Sequence, residues 1–292
     1  MAVVAGQRTA APPARRRGRR KALRTRGQRF GDGLLWAWTV GALVFLVAPL
    51  LVIVPLSFNA GSFLSFPMPG WSLRWYQELW DTPVWWLSFR HSLIVGIGAT
   101  AIATALGTTA AVGLSMARFR GKDLLTALLI SPLAVPLIIV AAGTYFYFIP
   151  LGLANTLLGL TLVHAALGAP FVLITVSASL VGFDRNLARA GASLGAAPVV
   201  AFRRITMPLI APGMAAGALF AFITSFDELV VAMFLTGPGQ RTLPRQMFDG
   251  IRENLSPTIL AVATLLILFS IVLLTTMELL RRRNIRLRGI RE

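Results

Sequence analysis

The chain has 292 residues, is 56% hydrophobic and carries only 13% charged residues, against roughly 25% in an ordinary globular domain. That balance excludes disorder, argues against a soluble enzyme and points to a membrane protein of several spans. There is no cysteine, which excludes disulfides, thiolate catalysis and cysteine-ligated zinc, and the two histidines, His91 and His164, lack metal-ligand spacing.

The net charge of +17 resembles a nucleic-acid signature until it is read along the chain. Ten basic residues lie between Arg8 and Arg29, directly ahead of the uncharged stretch 34–56. A secretory signal would carry an apolar core of roughly 7–15 residues and a small-residue cleavage site. This stretch is 23 residues long with no such site, so the tail reads as an uncleaved, orientation-setting segment. A span needs about 20 mostly apolar residues. Candidates follow at 92–117, 125–148, 156–181, 205–226 and 257–278, giving six with 34–56. The third and fourth come from one uncharged run of 60 residues, Leu124 to Phe183, divided near Pro150, Gly152 and Asn155. The apolar pattern of the fifth resumes after Asp227 and Glu228 as far as Leu235.

An even number of spans puts both ends of the chain on one side. The segments 8–29, 118–122, 182–204 and 281–292 then share that side and hold 23 of the 28 Lys and Arg residues. The other side keeps Arg74, Arg90, Arg241, Arg245 and Arg252. By the positive-inside rule the basic side is the cytoplasm, so the charge predicts orientation and no nucleic-acid partner. The domain organisation expected is a basic tail at 1–33, a six-span domain at 34–280 and a second basic tail at 281–292. The fold class is all-α and polytopic, with a cytoplasmic coupling loop between the fourth and fifth spans.

The first outward segment, 57–91, holds Trp71, Trp75, Trp80, Trp85 and Trp86 with Tyr76. Such rings suit the lipid headgroup interface, so membrane lipid is a partner, and contact with an external protein stays open beside it. A short amphipathic helix is expected at about 72–80.

Between the fourth and fifth spans, about two dozen residues, Asp184 to Pro208, exceed what a turn needs. Asp184 suits an N-cap, and Leu187, Ala190 and Leu194 recur at helical spacing. The segment reads as a short helix, a glycine turn and a second short helix ended before Pro208. A docking element and a mere connector are both open on these grounds.

Arg189-Ala190-Gly191, three residues, Gly195, nine residues, then Ile205-Thr206-Met207-Pro208 reproduce a spacing. It resembles the EAA loop, Glu-Ala-Ala-x3-Gly-x9-Ile-x-Leu-Pro, of the permease subunits of binding-protein-dependent ABC importers. Arg189 stands at the motif's Glu, Gly191 at its second Ala and Met207 at its Leu. The run Phe226-Asp227-Glu228 through Gly237-Pro238-Gly239, followed by Thr242-Leu243-Pro244, looks like the spermidine/putrescine branch, especially its second permease subunit. The resemblance covers roughly residues 35–280. It implies a bacterial inner-membrane subunit that pairs with a second permease, preferably as a heterodimer. Two cytoplasmic ATPases would receive the loop, and a periplasmic or extracellular solute-binding protein would deliver cargo.

No G-x-x-x-x-G-K-[ST] phosphate loop exists; the chain has two lysines, and Gly121-Lys122-Asp123 lacks the required context. The subunit therefore needs no cofactor and is no enzyme, with ATP and Mg2+ belonging to the ATPase partners. Asp227 and Glu228, at the end of an apolar segment, are costly unless they face water, a cation or a partner. They suit a polyamine path, a salt bridge or gate, or an interfacial helix end. Gly237-Pro238-Gly239 marks a turn that belongs to an external gate or a plain loop. His91 reads as interfacial. His164 reads as packing or an interhelical hydrogen bond rather than a proton relay, since no acidic residue lies near it in sequence. A secondary transporter of organic cations and a non-transporting scaffold remain as unlike alternatives, though neither inverted repeats nor a mid-membrane ion site is evident.

Overall fold

The computed structural model describes residues 26–63, 67–182, 184–253 and 256–287. Most of the basic N-terminal tail, residues 1–25, and the last five residues lie outside this set. The chain divides into two compact units, Met1–Val52 and Ile53–Glu292. The first contributes most of helix α1 (Arg26–Leu56), apolar and uncharged from residue 34 onward.

The second unit carries eleven further described helices: α2 (Arg74–Asp81), α3 (Pro83–Met116), α4 (Lys122–Ile130), α5 (Leu137–Phe148), α6 (Leu157–Val181), α7 (Arg185–Ser193), α8 (Pro198–Ala201), α9 (Met207–Phe226), α10 (Val230–Leu235), α11 (Leu243–Glu253) and α12 (Thr258–Leu287). By length and composition five helices can cross a membrane, and α4 with α5 makes a sixth candidate if that bent pair is one span. The protein is an all-α, multi-pass membrane protein. Three expectations shift in detail. Helix α3 begins at Pro83, where proline suits a helix start, and so carries Trp85, Trp86 and Arg90 in the same helix as the span placed at 92–117. The stretch 125–148 is two helices meeting at 95° rather than one. Pro132 and Pro136 cause the break: neither offers an N–H, a short 3-10 turn takes up Ser131–Leu133, and Pro136 is extended at ψ 127°. The chain also stays helical through Pro208.

Helices α3, α6 and α9 form the core. Between membrane helices the hydrophobic effect gives little attraction, so association rests on close packing of small residues. A Cβ on Gly107 of α3 would fall 2.6 Å from Val172 Cβ of α6, and one on Gly168 of α6 would fall 2.9 Å from the Ala221 Cβ of α9. Gly213 and Gly217 of α9 abut Ser179 and Thr175 of α6 in the same way. These pairings run α6 antiparallel to α9, while Gly98–Thr161 and Gly107–Val172 run α3 parallel to α6. The α6–α9 seam therefore extends from the α7–α8 end of the bundle to the α10 end.

At the α10 end α2, close to the helix expected at 72–80, is anchored to its surroundings. Trp75 Nε1 donates to the Asn59 carbonyl at 2.6 Å, Tyr76 Oη meets Ser57 Oγ at 2.7 Å, and Thr258 Oγ1 donates to Glu78 at 3.1 Å. Trp85, Leu243, Ile259 and Val262 make a small core beneath it.

Candidate functional site

The segment between α6 and α9 is built by local rules. The Asp184 carboxylate caps α7, accepting from the Asn186 N–H at 2.9 Å. The helix closes with two bonds, Gly195 N–H to Ala192 O and Ala196 N–H to Gly191 O, both 3.0 Å. This is a Schellman closure, which needs a left-handed residue, and Gly195 has φ +82°. Pro198 then opens α8. A Cβ on Gly191 would lie 2.7 Å from Ile205 Cδ1, so a glycine where the resembled motif has alanine lets α7 rest on Ile205. Arg189, Ala190, Leu194, Met207 and Pro208 are exposed, Leu194 at 89%.

The second helix was expected to end before Pro208. Instead a π turn, Phe202–Thr206, joins α8 to α9 without interruption, and the Met207 N–H reaches back to Phe202 O. The wider turn accommodates a proline that has no N–H for the carbonyl one α-turn earlier. Helix α8 is thereby continuous with α9, while α7 joins it through the glycine turn.

At the far end of α9 the two adjacent carboxylates part company. Asp227 is exposed and, among the described residues, makes no ion pair or side-chain hydrogen bond. Glu228 is 6% exposed. Its Oε1 accepts from Val231 N–H at 2.9 Å and its Oε2 from Ala232 N–H at 3.1 Å, capping the first turn of α10. Oε2 also lies 3.4 Å from His164 Nε2, and His164 Nδ1 lies 2.8 Å from Ser225 Oγ. Which of His164 Nδ1 and Ser225 Oγ donates in that contact is set by the tautomer of the ring. His164 thus makes an interhelical hydrogen bond from α6 to α9, with an acidic neighbour that sequence distance concealed.

The carboxyl end of α10 is capped as well. Arg245 on α11 donates to Thr236 O and Oγ1 and to Ala232 O, the last at 3.3 Å. Asp249 holds Arg241 at 3.4 Å and Arg245 at 3.8 Å. Burial pushes the Arg245 guanidinium below its ordinary pKa, Asp249 opposes that and Arg241 adds to it. In sequence Arg245 was only one of five basic residues off the basic side, and nothing there tied it to α10. Gly237, Pro238 and Gly239 form a short turn between these caps, with Pro238 opening a 3-10 turn. Open space surrounds a Cβ position on Gly239. The stretch after this turn is pinned to α3: Leu243 N–H donates to Ser92 Oγ at 2.8 Å, and His91 Nδ1 lies 3.1 Å from Arg241 O.

Beside α3 and α9 runs an open groove of about 770 Å³, lined by Ile97, Thr100, Thr104, Met214 and Phe222 among others and by no charged side chain. Among the described residues no group of three His, Asp or Glu could hold a metal ion.

The described residues thus form membrane-length helices with a helix-turn-helix excursion running into one of them, the architecture of a multi-pass membrane subunit. Residues 103–286 match the family described as binding-protein-dependent transport system inner membrane component. The chain belongs to that family: it is a permease subunit of an ABC importer, which works with separate ATPase subunits. It is 32% identical over 238 residues to the spermidine/putrescine transport system permease protein PotC of Escherichia coli (strain K12), covering 82% of this chain and 90% of that protein. To the putrescine transport system permease protein PotI of the same strain it is 36% identical over 230 residues, 76% of this chain and 82% of PotI. The fold resembles a chain of a bacterial ABC transporter involved in the import of the acidic polysaccharide alginate, with TM-score 0.66, 15% identity and coverage of 89% and 98%. An amino acid ABC transporter chain gives TM-score 0.55 at 17% identity, covering 72% of this chain and 98% of that one.

Proposed function

We propose that this subunit forms one half of the translocation pathway for ATP-driven import of polyamines, spermidine or putrescine, or a related small organic cation. It does so in the bacterial inner membrane as a six-span domain, residues 34–280, with the basic tails 1–33 and 281–292 in the cytoplasm. A second, non-identical permease completes the path. The segment 184–208, with Arg189, Ala190, Gly191, Gly195, Ile205, Met207 and Pro208, docks on one of two ATPases that hold ATP and Mg2+. The opposite end, including Gly237, Pro238 and Gly239, serves the external gate and meets the solute-binding protein.

The observation that carries the cargo reading is the exposed, unpaired Asp227 carboxylate at the membrane end of α9, beside a Glu228 already committed to capping. A diammonium or triammonium cargo passing a subunit whose groove carries no charged side chain gains most from an accessible carboxylate such as Asp227, which follows α9 directly. The names of the two polyamine permeases support the same class. Proteoliposomes holding the complete transporter and ATP, supplied with its solute-binding protein and labelled putrescine, test this. Asp227→Asn is expected to cut uptake about tenfold or more, the scale of one lost charge contact, while leaving assembly intact. Wild-type uptake kinetics in that variant would remove Asp227 from the path, and failure of the unmodified transporter to take up any polyamine would remove the cargo class.

A further inference from the structure

Of the departures from the coupling motif, Arg189 is the one that places a charge of opposite sign on the surface. Gly191 marks the side of α7 that rests on Ile205. At about 100° per residue, Arg189, two positions earlier, lies roughly 160° round the helix, on the side turned away from the bundle. Its side chain is exposed and has no ion-pair or side-chain hydrogen-bond partner among the described residues. The one acidic residue of the segment, Asp184, is occupied at the helix N-cap. Apolar side chains stand exposed around it, Leu187 at 47%, Leu194 at 89% and Val199 at 67%, with Ala190 between them, while the exposed Arg203 and Arg204 lie farther along the segment beside Met207. A surface that covers those side chains also takes water from the guanidinium beside them. A desolvated guanidinium left unpaired opposes binding, and its planar fork matches a carboxylate in a two-bond arrangement.

We infer that the ATPase groove receiving this segment presents a carboxylate to Arg189, so that the polarity of the contact is the reverse of the one implied by the Glu-Ala-Ala pattern. This rests on the docking role given to residues 184–208 above, and the test separates the two. The permease pair is placed in nanodiscs, and binding of the cognate ATPase is measured by interferometry for wild type, Arg189→Gln, Arg189→Glu and Leu194→Asp. Salt is varied from about 0.1 to about 1 M, over which the screening length falls from about 10 to about 3 Å.

Arg189→Glu is expected to weaken binding about tenfold or more, Arg189→Gln less, and the glutamine variant to show a smaller salt dependence than wild type. One Asp→Arg or Glu→Arg change on the ATPase surface should restore affinity to Arg189→Glu. If Leu194→Asp abolishes binding while Arg189→Glu binds as wild type, docking stands and the carboxylate inference is wrong. If neither variant weakens binding, the docking role itself is wrong. If Arg189→Glu matters only in nanodiscs containing anionic lipid and no reversal on the ATPase restores it, Arg189 faces headgroups and the inference is overturned.

Discussion

Gly195 and His164 show how much a single residue can carry in a bundle with few polar groups. Gly195 holds φ +82° to close α7, and a Cβ in that region costs roughly 1–2 kcal/mol. Gly195→Ala should therefore fray the α7–α8 turn and weaken ATPase binding several-fold in the interferometry assay, with the membrane bundle unfolding at the wild-type temperature. His164 is the polar end of the α6–α9 seam. Replacing it by Phe strands the buried Ser225 hydroxyl and removes the ring from Glu228, a loss of about 1–3 kcal/mol. Thermal unfolding in detergent should register that loss, and unchanged stability would mean water replaces the ring. The αL glycine was legible as a turn because its spacing sits between two short helical patterns. The partners of His164 were not, since Ser225 is 61 residues away in sequence and only the pairing of α6 with α9 brings it close.

Among elements, the continuous run from α8 through the π turn into α9 matters most for coupling. If the segment docks as proposed, this unbroken helix would carry a displacement of α8 into α9, the helix that lines the groove and ends at Asp227. Deleting Thr206 would remove the extra residue of the π turn and rotate α7–α8 by about 100° against α9. Normal membrane insertion, bound ATPase and lost ATP-dependent uptake are expected, and normal uptake would show that coupling does not pass through this junction. Helix α10 is the complementary element: six residues with an acid at the amino end and a guanidinium at the carboxyl end, the signs that the helix dipole favours. Glu228→Ala removes both amide acceptors and should destabilise the α9–α10 junction by about 1–3 kcal/mol, read by detergent melting. The apolar pattern announced α10, because the run resumes after Glu228. It could not announce the carboxyl-end cap, since Arg245 reaches Thr236 only when α11 folds back.

For the whole molecule, orientation is the property to test, and the lack of native cysteine makes it simple. Single cysteines at Arg120 and Arg203 should react with membrane-impermeant maleimide only in inverted vesicles, and those at Ser72 and Arg252 only in intact cells. Labelling of position 120 from outside would reverse the six-span topology proposed from the charges. The bent α4–α5 pair is the weakest part of a count by hydropathy, since an apolar run looks the same whether it crosses straight or turns through 95°.

Membrane class, the apolar stretches and the motif shared with importer permeases are all readable from the residues in order. Those properties are local or additive: hydropathy, charge and spacing need no knowledge of what packs against what. Tertiary structure alone decided that Asp227 stays open while Glu228 is buried as a cap, that His164 lies beside Glu228 and Ser225, and that Arg189 faces away from the bundle. Two adjacent carboxylates are equivalent in a linear pattern, and they become different when the break between α9 and α10 turns one onto the Val231 and Ala232 amides and buries it against His164 of α6, leaving the other exposed.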